Sequence, residues 1–133
     1  VDLLQSIPGV GPVYAALIAV EIGDIGRFRD SNHLASYAGV APRKEESGTS
    51  VHKRRKRKGG NRRLKNALMQ SSQRSVQCDP LARAYYERKR AEGKKHLQAL
   101  RALARHRVTV IFAMLNEGTF YEPPVEVDEN GRG

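Results

Sequence analysis

Apolar residues along the chain recur at intervals of three and four, a spacing that predicts helices. From Asn61, the positions Leu64, Ala67, Leu68, Ser71 and Ser75 keep that spacing to about Gln77, which predicts a helix over 61–78. Asp79 then offers a side-chain cap with Pro80 in the first turn, and the pattern runs through Leu81, Tyr85 and Arg88 to a stop at Gly93, giving a helix over 79–92. A last helix over 95–116 places Leu97, Leu100, Leu103, Ala104, Val108, Ile111 and Leu115 on one stripe, a core-facing pattern.

Upstream, SIPGVGPVYAALIAVEIG (6–23) permits a tight hairpin at Gly9 and Gly11, with Pro12 suited to the first turn of a helix. Val13, Ala16, Leu17 and Val20 share one face of that helix. FRDSNHLASYAGVAP (28–42) predicts a short helix capped by Asp30 or Ser31 and stopped at Gly39, with Pro42 preventing its resumption. Residues 43–60 then form a long loop, with room for a short strand or hairpin around Thr49 to His52. Connections of such length are usually functional or disordered. Residues 118–133, GTFYEPPVEVDENGRG, hold two prolines and little to bury, which predicts an extended or disordered tail. The expected architecture is all-α: one compact helical domain over 1–117 with one long basic loop. The chain opens on VDLLQS without Met, inside what reads as the end of a helix, so a fragment of a longer protein is expected.

Charge changes this picture from a fold to a binding surface. The formal net charge is +10, and the excess is clustered. Residues 43–65 hold eleven Lys/Arg against Glu45 and Glu46, six of them consecutive from Lys53 to Lys58. A second block, Arg83 to Arg107, holds nine Lys/Arg against Glu87 and Glu92. Two such blocks are the electrostatic footprint of nucleic-acid binding; a single run would more often be a solvated face. The IPGVGP core resembles a helix-hairpin-helix motif, whose free backbone N–H groups at a helix start hold a DNA phosphate without reading sequence. Gly9 and Gly11 are the candidate phosphate contacts. A plain helix connection without a ligand is the alternative, since basic residues are missing around it.

Cys78 is the single cysteine, which rules out an internal disulfide; at the end of a helical pattern it reads as a small buried or half-buried apolar residue. His33, His52, His96 and His106 are scattered without metal-ligand spacing, and no zinc site is expected. No apolar run approaches the roughly 20 residues needed to span a bilayer, and no signal-peptide pattern opens the chain. A soluble cytoplasmic protein without a membrane partner, associated with the nucleoid, is the expectation.

Four motifs in order are informative together: IPGVGP, LASYAGVAPRKEESG, KGGNRRLKNAL and DPLARAYYERKRAEGK followed by a closing helix. This set resembles the C-terminal domain of insertion-sequence-110-type transposases, the 116/110/902 family, over about residues 3–121. The resemblance implies an RNA-guided DNA recombinase that pairs this serine-bearing domain with a RuvC-like domain carrying acidic residues and divalent metal, expected to be Mg. It also implies DNA and a guide RNA as partners and a homo-oligomer. No cofactor is expected on this segment itself. In the family, the serine before glycine after a GxxPR segment is the nucleophile; Gly39, Pro42 and Arg43 match the approach and Ser47–Gly48 the site.

The chemistry fits those residue types. A serine hydroxyl that attacks a phosphodiester keeps the bond energy in a phosphoserine for rejoining, but it needs activation. Cations must meet charge growing on the phosphoryl oxygens, and Arg43, Lys53, Arg54, Arg55, Arg62 and Arg63 are available for that; with Lys56, Arg57 and Lys58 they are the candidate nucleic-acid-binding side chains. Glu46 beside Ser47 must be turned away or paired with Arg or Lys to admit a phosphate. No general base is evident locally, so a RuvC-like domain would complete the site and this segment alone would be inactive. Two other readings stay open: a non-catalytic helix-hairpin-helix nucleic-acid module, and a base-excision glycosylase with Asp30 as its catalytic aspartate. The second lacks the helices such enzymes place upstream of their hairpin.

Overall fold

The computed structural model describes residues 2–42 and 61–123, and among them every regular element is helical. In chain order these are α1 (Asp2–Gln5), α2 (Pro12–Ile22), a short 3-10 turn (Ile25–Arg27), α3 (Ser31–Ala38), α4 (Arg62–Cys78), α5 (Pro80–Ala91) and α6 (His96–Glu117). Their starts follow local chemistry. Asp30 Oδ1 accepts from the His33 N–H at 2.8 Å, which makes Asp30 rather than Ser31 the cap of α3. Asn61 Oδ1 accepts from the Leu64 N–H at 2.9 Å, and Asp79 Oδ1 from the Leu81 N–H at 3.2 Å, ahead of Pro80.

One core forms where α1, α2, α3, α4 and α6 meet, built on Leu4, Ile7, Ile18, Ile22, Leu34, Val40, Leu64, Val108 and Ile111. A smaller cluster of Ala82, Leu100 and Leu103 joins α5 to α6, with Met69 and Val76 packed against it. The α6 stripe is therefore buried from Leu100 to Ile111, but Leu97 at its start is 65% exposed. A larger departure concerns α2. The face shared by Val13, Ala16, Leu17 and Val20 points to solvent, and Ala15, Ile18 and Ile22 are buried instead. Cys78 is exposed rather than buried, since α4 ends there and the chain turns away into α5.

The α1–α2 connection is held from below by polar contacts. Ser75 Oγ donates to the Pro8 carbonyl at 2.7 Å, and Arg107 Nη2 donates to the same oxygen at 3.2 Å. Arg107 lies against the Asp79 carboxylate at 3.6 Å, with both side chains nearly buried. Burial works against the Arg107 charge, and the Asp79 carboxylate opposes that effect. Of the expected tail, residues 118–123 have no regular structure, yet the Tyr121 N–H donates to Ser6 Oγ at 2.8 Å and fastens the segment beside α1. Residues 124–133 lie outside the described residues.

Candidate nucleic-acid interface

Ser47, Arg43 and the run Lys53, Arg54, Arg55, Lys56, Arg57, Lys58 all lie outside the described residues, as does the stretch around Thr49 to His52. The structure does describe the two points between which this segment is strung. On the leaving side, Gly39 ends α3 in a left-handed conformation at φ 77°. Arg101 Nη1 donates to its carbonyl at 2.7 Å, and Arg105 Nη1 to the Val40 carbonyl at 3.4 Å. On the returning side, the Asn61 N–H donates to the Tyr37 carbonyl at 2.6 Å. The chain thus comes back beside the helix it has just left.

Asn61 is the hub of the returning side. While its Oδ1 caps α4, its Nδ2 donates to Glu21 Oε1 at 2.7 Å and to the Tyr37 hydroxyl at 3.2 Å. The Asn61 bond and then the Arg27 contact hold the Tyr37 phenol below its usual pKa. Arg27 stacks its guanidinium over the rings of Phe28 and Tyr37 at 4.8 and 5.0 Å. Arg63 approaches Glu21 Oε2 at 3.9 Å while staying largely in water, a contact worth little by itself. Arg62 and Arg63 are both exposed in the first turn of α4.

The hub yields a prediction. Asn61→Ala removes a helix cap and a donor to Glu21, and is expected to cost about 1–2 kcal/mol in urea unfolding. Asn61→Asp retains a capping oxygen but sets a second carboxylate against Glu21. It is expected to recover little of that loss; full recovery would show that the Glu21 bond contributes nothing.

The two glycines proposed as phosphate contacts are placed differently. Gly9, at φ 92°, is pressed against Ser71 and Ser75 of α4, whereas Gly11 faces open space. Gly11 stands at the start of α2, where no side chain caps the helix. Beside that start, Tyr14, Gln70, Gln73, Arg74 and Gln77 line an open cleft of about 280 Å³.

Much of the second basic block is spent inside the fold. Arg83 donates from Nε and Nη2 to the Val76 and Gln77 carbonyls at the end of α4, at 3.0 and 2.9 Å. Arg101 and Arg105 serve the end of α3 as described, Arg107 is buried with Asp79, and Lys89 sits 3.6 Å from Glu92. Helix C-termini carry partial negative charge and unsatisfied carbonyls, which recruit these guanidinium groups. Counting charges along the chain overstated this block. Sequence reasoning also missed Glu21, Tyr37, Arg101 and Arg105; only Asn61, an N-cap residue type just ahead of a helical pattern, carried a legible signal.

Among the described residues, no helix is long and apolar enough to cross a membrane, and no group of three His, Cys, Asp or Glu could hold a metal ion. The profile described as the transposase IS116/IS110/IS902 family matches residues 1–87, and the chain belongs to that family. It is 52% identical over 120 residues to the insertion element IS110 uncharacterized 43.6 kDa protein of Streptomyces coelicolor, covering 90% of this chain and 30% of that protein. Identity to the insertion element IS900 uncharacterized 42 kDa protein of Mycobacterium paratuberculosis is 39% over 123 residues, 92% of this chain and 31% of that one. A pilin gene-inverting protein of Moraxella bovis is 35% identical over 118 residues, 87% of this chain and 37% of its own length. The chain thus spans about a third of the length of these curated relatives.

Proposed function

We propose that this chain is the serine-bearing domain of a DNA transposase or recombinase, with Ser47 as the nucleophile. The family match supports the reading, because it runs through Gly39, Pro42, Arg43, Ser47 and Gly48. In the proposed step the Ser47 hydroxyl proton passes to a base, an Oγ–P bond forms, and the P–O bond to the departing deoxyribose oxygen breaks as that oxygen takes up a proton. Attack by a new deoxyribose hydroxyl reverses the exchange and releases the serine, so no external energy source is needed. Arg43, the run Lys53 to Lys58, Arg62 and Arg63 stabilise charge on the phosphoryl oxygens.

A divalent metal, a RuvC-like domain to hold it, a guide RNA and a homo-oligomer belong to the same proposal for the whole protein. The described residues of this chain offer no ligand set for that metal, and no step is assigned to it here. A second reading, a non-catalytic helix-hairpin-helix module, is favoured by the uncapped start of α2 at Gly11, where a phosphate would meet free backbone N–H groups.

Both readings place the main grip on the basic segment, and salt dependence tests it. If it and its neighbours make on the order of six phosphate contacts, log K against log salt should fall with a slope of about −5 on duplex DNA. Replacing Lys53 to Lys58 by alanine is expected to flatten that slope, and an unchanged slope would make the run a solvated face. Covalent capture of DNA on Ser47 separates the two readings.

A further inference from the structure

The exposed face of α4 has an unusual composition. At 3.6 residues per turn, Asn66, Gln70, Gln73, Arg74 and Gln77 fall within an arc of about 100°, and all five are exposed. The opposite face, Leu64, Ala67, Leu68, Ser71, Ser72 and Ser75, is buried and holds the helix in place without help from these amides. Gln70 accepts from the Tyr14 hydroxyl at 3.0 Å. Asn66, Gln73, Arg74 and Gln77 have no hydrogen-bonding side-chain partner among the described residues.

A helix face kept merely for solubility usually mixes acids with bases in i,i+4 pairs. The exposed side of α5 sets Glu87 among Arg83, Arg88 and Arg90, whereas the 17 residues of α4 contain no Asp or Glu. Side-chain amides and guanidinium groups share one property: each presents two hydrogen-bonding atoms in a plane. That geometry matches the adenine N6/N7 edge for Asn and Gln and the guanine O6/N7 edge for Arg. An acid-free surface also avoids repelling the phosphates on either side of a groove. Seventeen residues make a rod of about 25 Å, and a major groove about 12 Å wide admits a helix.

We infer that α4 enters the major groove of a DNA duplex, with Asn66, Gln70, Gln73, Arg74 and Gln77 meeting base edges. Arg62 and Arg63, exposed in the first turn, take the backbone phosphates at one end. The inference rests on the DNA-rearrangement reading above and adds sequence preference to it, supplied by this chain's own side chains.

Selection from fully randomised duplex DNA, run beside a duplex RNA library, tests it on the 133-residue chain. The parent is expected to enrich a short pattern in DNA. Gln73→Ala and Gln77→Ala are each expected to lose on the order of tenfold preference at one or two positions of that pattern. Arg74→Ala is expected to flatten a guanine position. Bulk affinity and salt slope should stay unchanged in the two glutamine variants, because an amide neutralises no phosphate. No enrichment in the parent would overturn the inference and leave the face to a protein partner. Enrichment unchanged in all three variants would overturn it too, as would enrichment confined to the RNA library. Selection requires no strand cleavage. If this chain reads bases while the full-length protein forms no adduct at Ser47, this inference stands and the catalytic one falls, and the reverse result would do the opposite.

Discussion

Gly9→Ala is expected to destabilise the domain by about 2–6 kcal/mol, enough to unfold a protein of ordinary stability. Two costs add. At φ 92°, an L side chain is strained by roughly 1–3 kcal/mol. A Cβ would also overlap Ser75 Oγ and stand only 2.9 Å from both the Ser71 carbonyl oxygen and the Ser75 Cα. The hydroxyl could rotate away, but the α4 backbone could not, and overpacking of this kind costs about 1–3 kcal/mol more. The Ser75 hydroxyl also bonds the Pro8 carbonyl, so moving it would release a contact that fastens the loop. Gly11→Ala is the matched control. Its backbone is extended at φ −83°, and a Cβ there meets nothing within 4 Å. Only the weaker capping preference of alanine applies, under about 1 kcal/mol. Equal urea midpoints for the two variants would mean that the α1–α2 loop does not rest on α4.

The same residue shows what could be read from the sequence and what could not. A Gly-x-Gly ahead of a proline announces a tight connection before a helix, and α2 starts at Pro12. Nothing local announces that one glycine presses on a helix more than sixty positions later while the other looks into solvent. The all-α class was legible for a similar reason: apolar spacing and caps such as Asp30 and Asp79 act within a few residues of themselves. Helix α2, PVYAALIAVEI, is apolar on nearly every side, so periodicity cannot choose its buried face. Contact with α1 and α4 makes that choice, burying Ala15, Ile18 and Ile22 and leaving Val13 and Val20 outside.

The second basic block shows the same limit. A basic residue on a surface and one spent on a helix end look alike in a sequence. Arg101 and Arg105 are separated from the carbonyls they serve by a fold the sequence does not display. Arg62 and Arg63 were legible because the helix beginning at Arg62 buries its Leu64 side and so turns them outward. The amide face of α4 was missed because Gln and Asn add no charge to a composition count, although their i, i+4, i+7 spacing was present.

Ser47→Ala, in a full-length protein supplied with divalent metal and nucleic acids, is expected to abolish the covalent protein–DNA adduct while leaving DNA binding nearly intact. The hydroxyl is one neutral group beside eleven Lys/Arg in residues 43–65, and affinity follows the phosphates that those cations neutralise. In the proposed reaction, catalysis depends on the single oxygen that becomes bonded to phosphorus. Ser50→Ala is the control, since the resemblance places the nucleophile directly before Gly48; its adduct should persist. Nicked or suicide DNA substrates, denaturing electrophoresis and peptide mapping give the readout. The 133-residue chain alone is expected to bind DNA without cleaving it, because the proposal assigns the activating groups to a RuvC-like domain. A DNA-linked peptide that survives in Ser47→Ala would remove Ser47 from the chemistry. The basic segment would then remain a grip, and the non-catalytic reading would gain the ground the nucleophile lost.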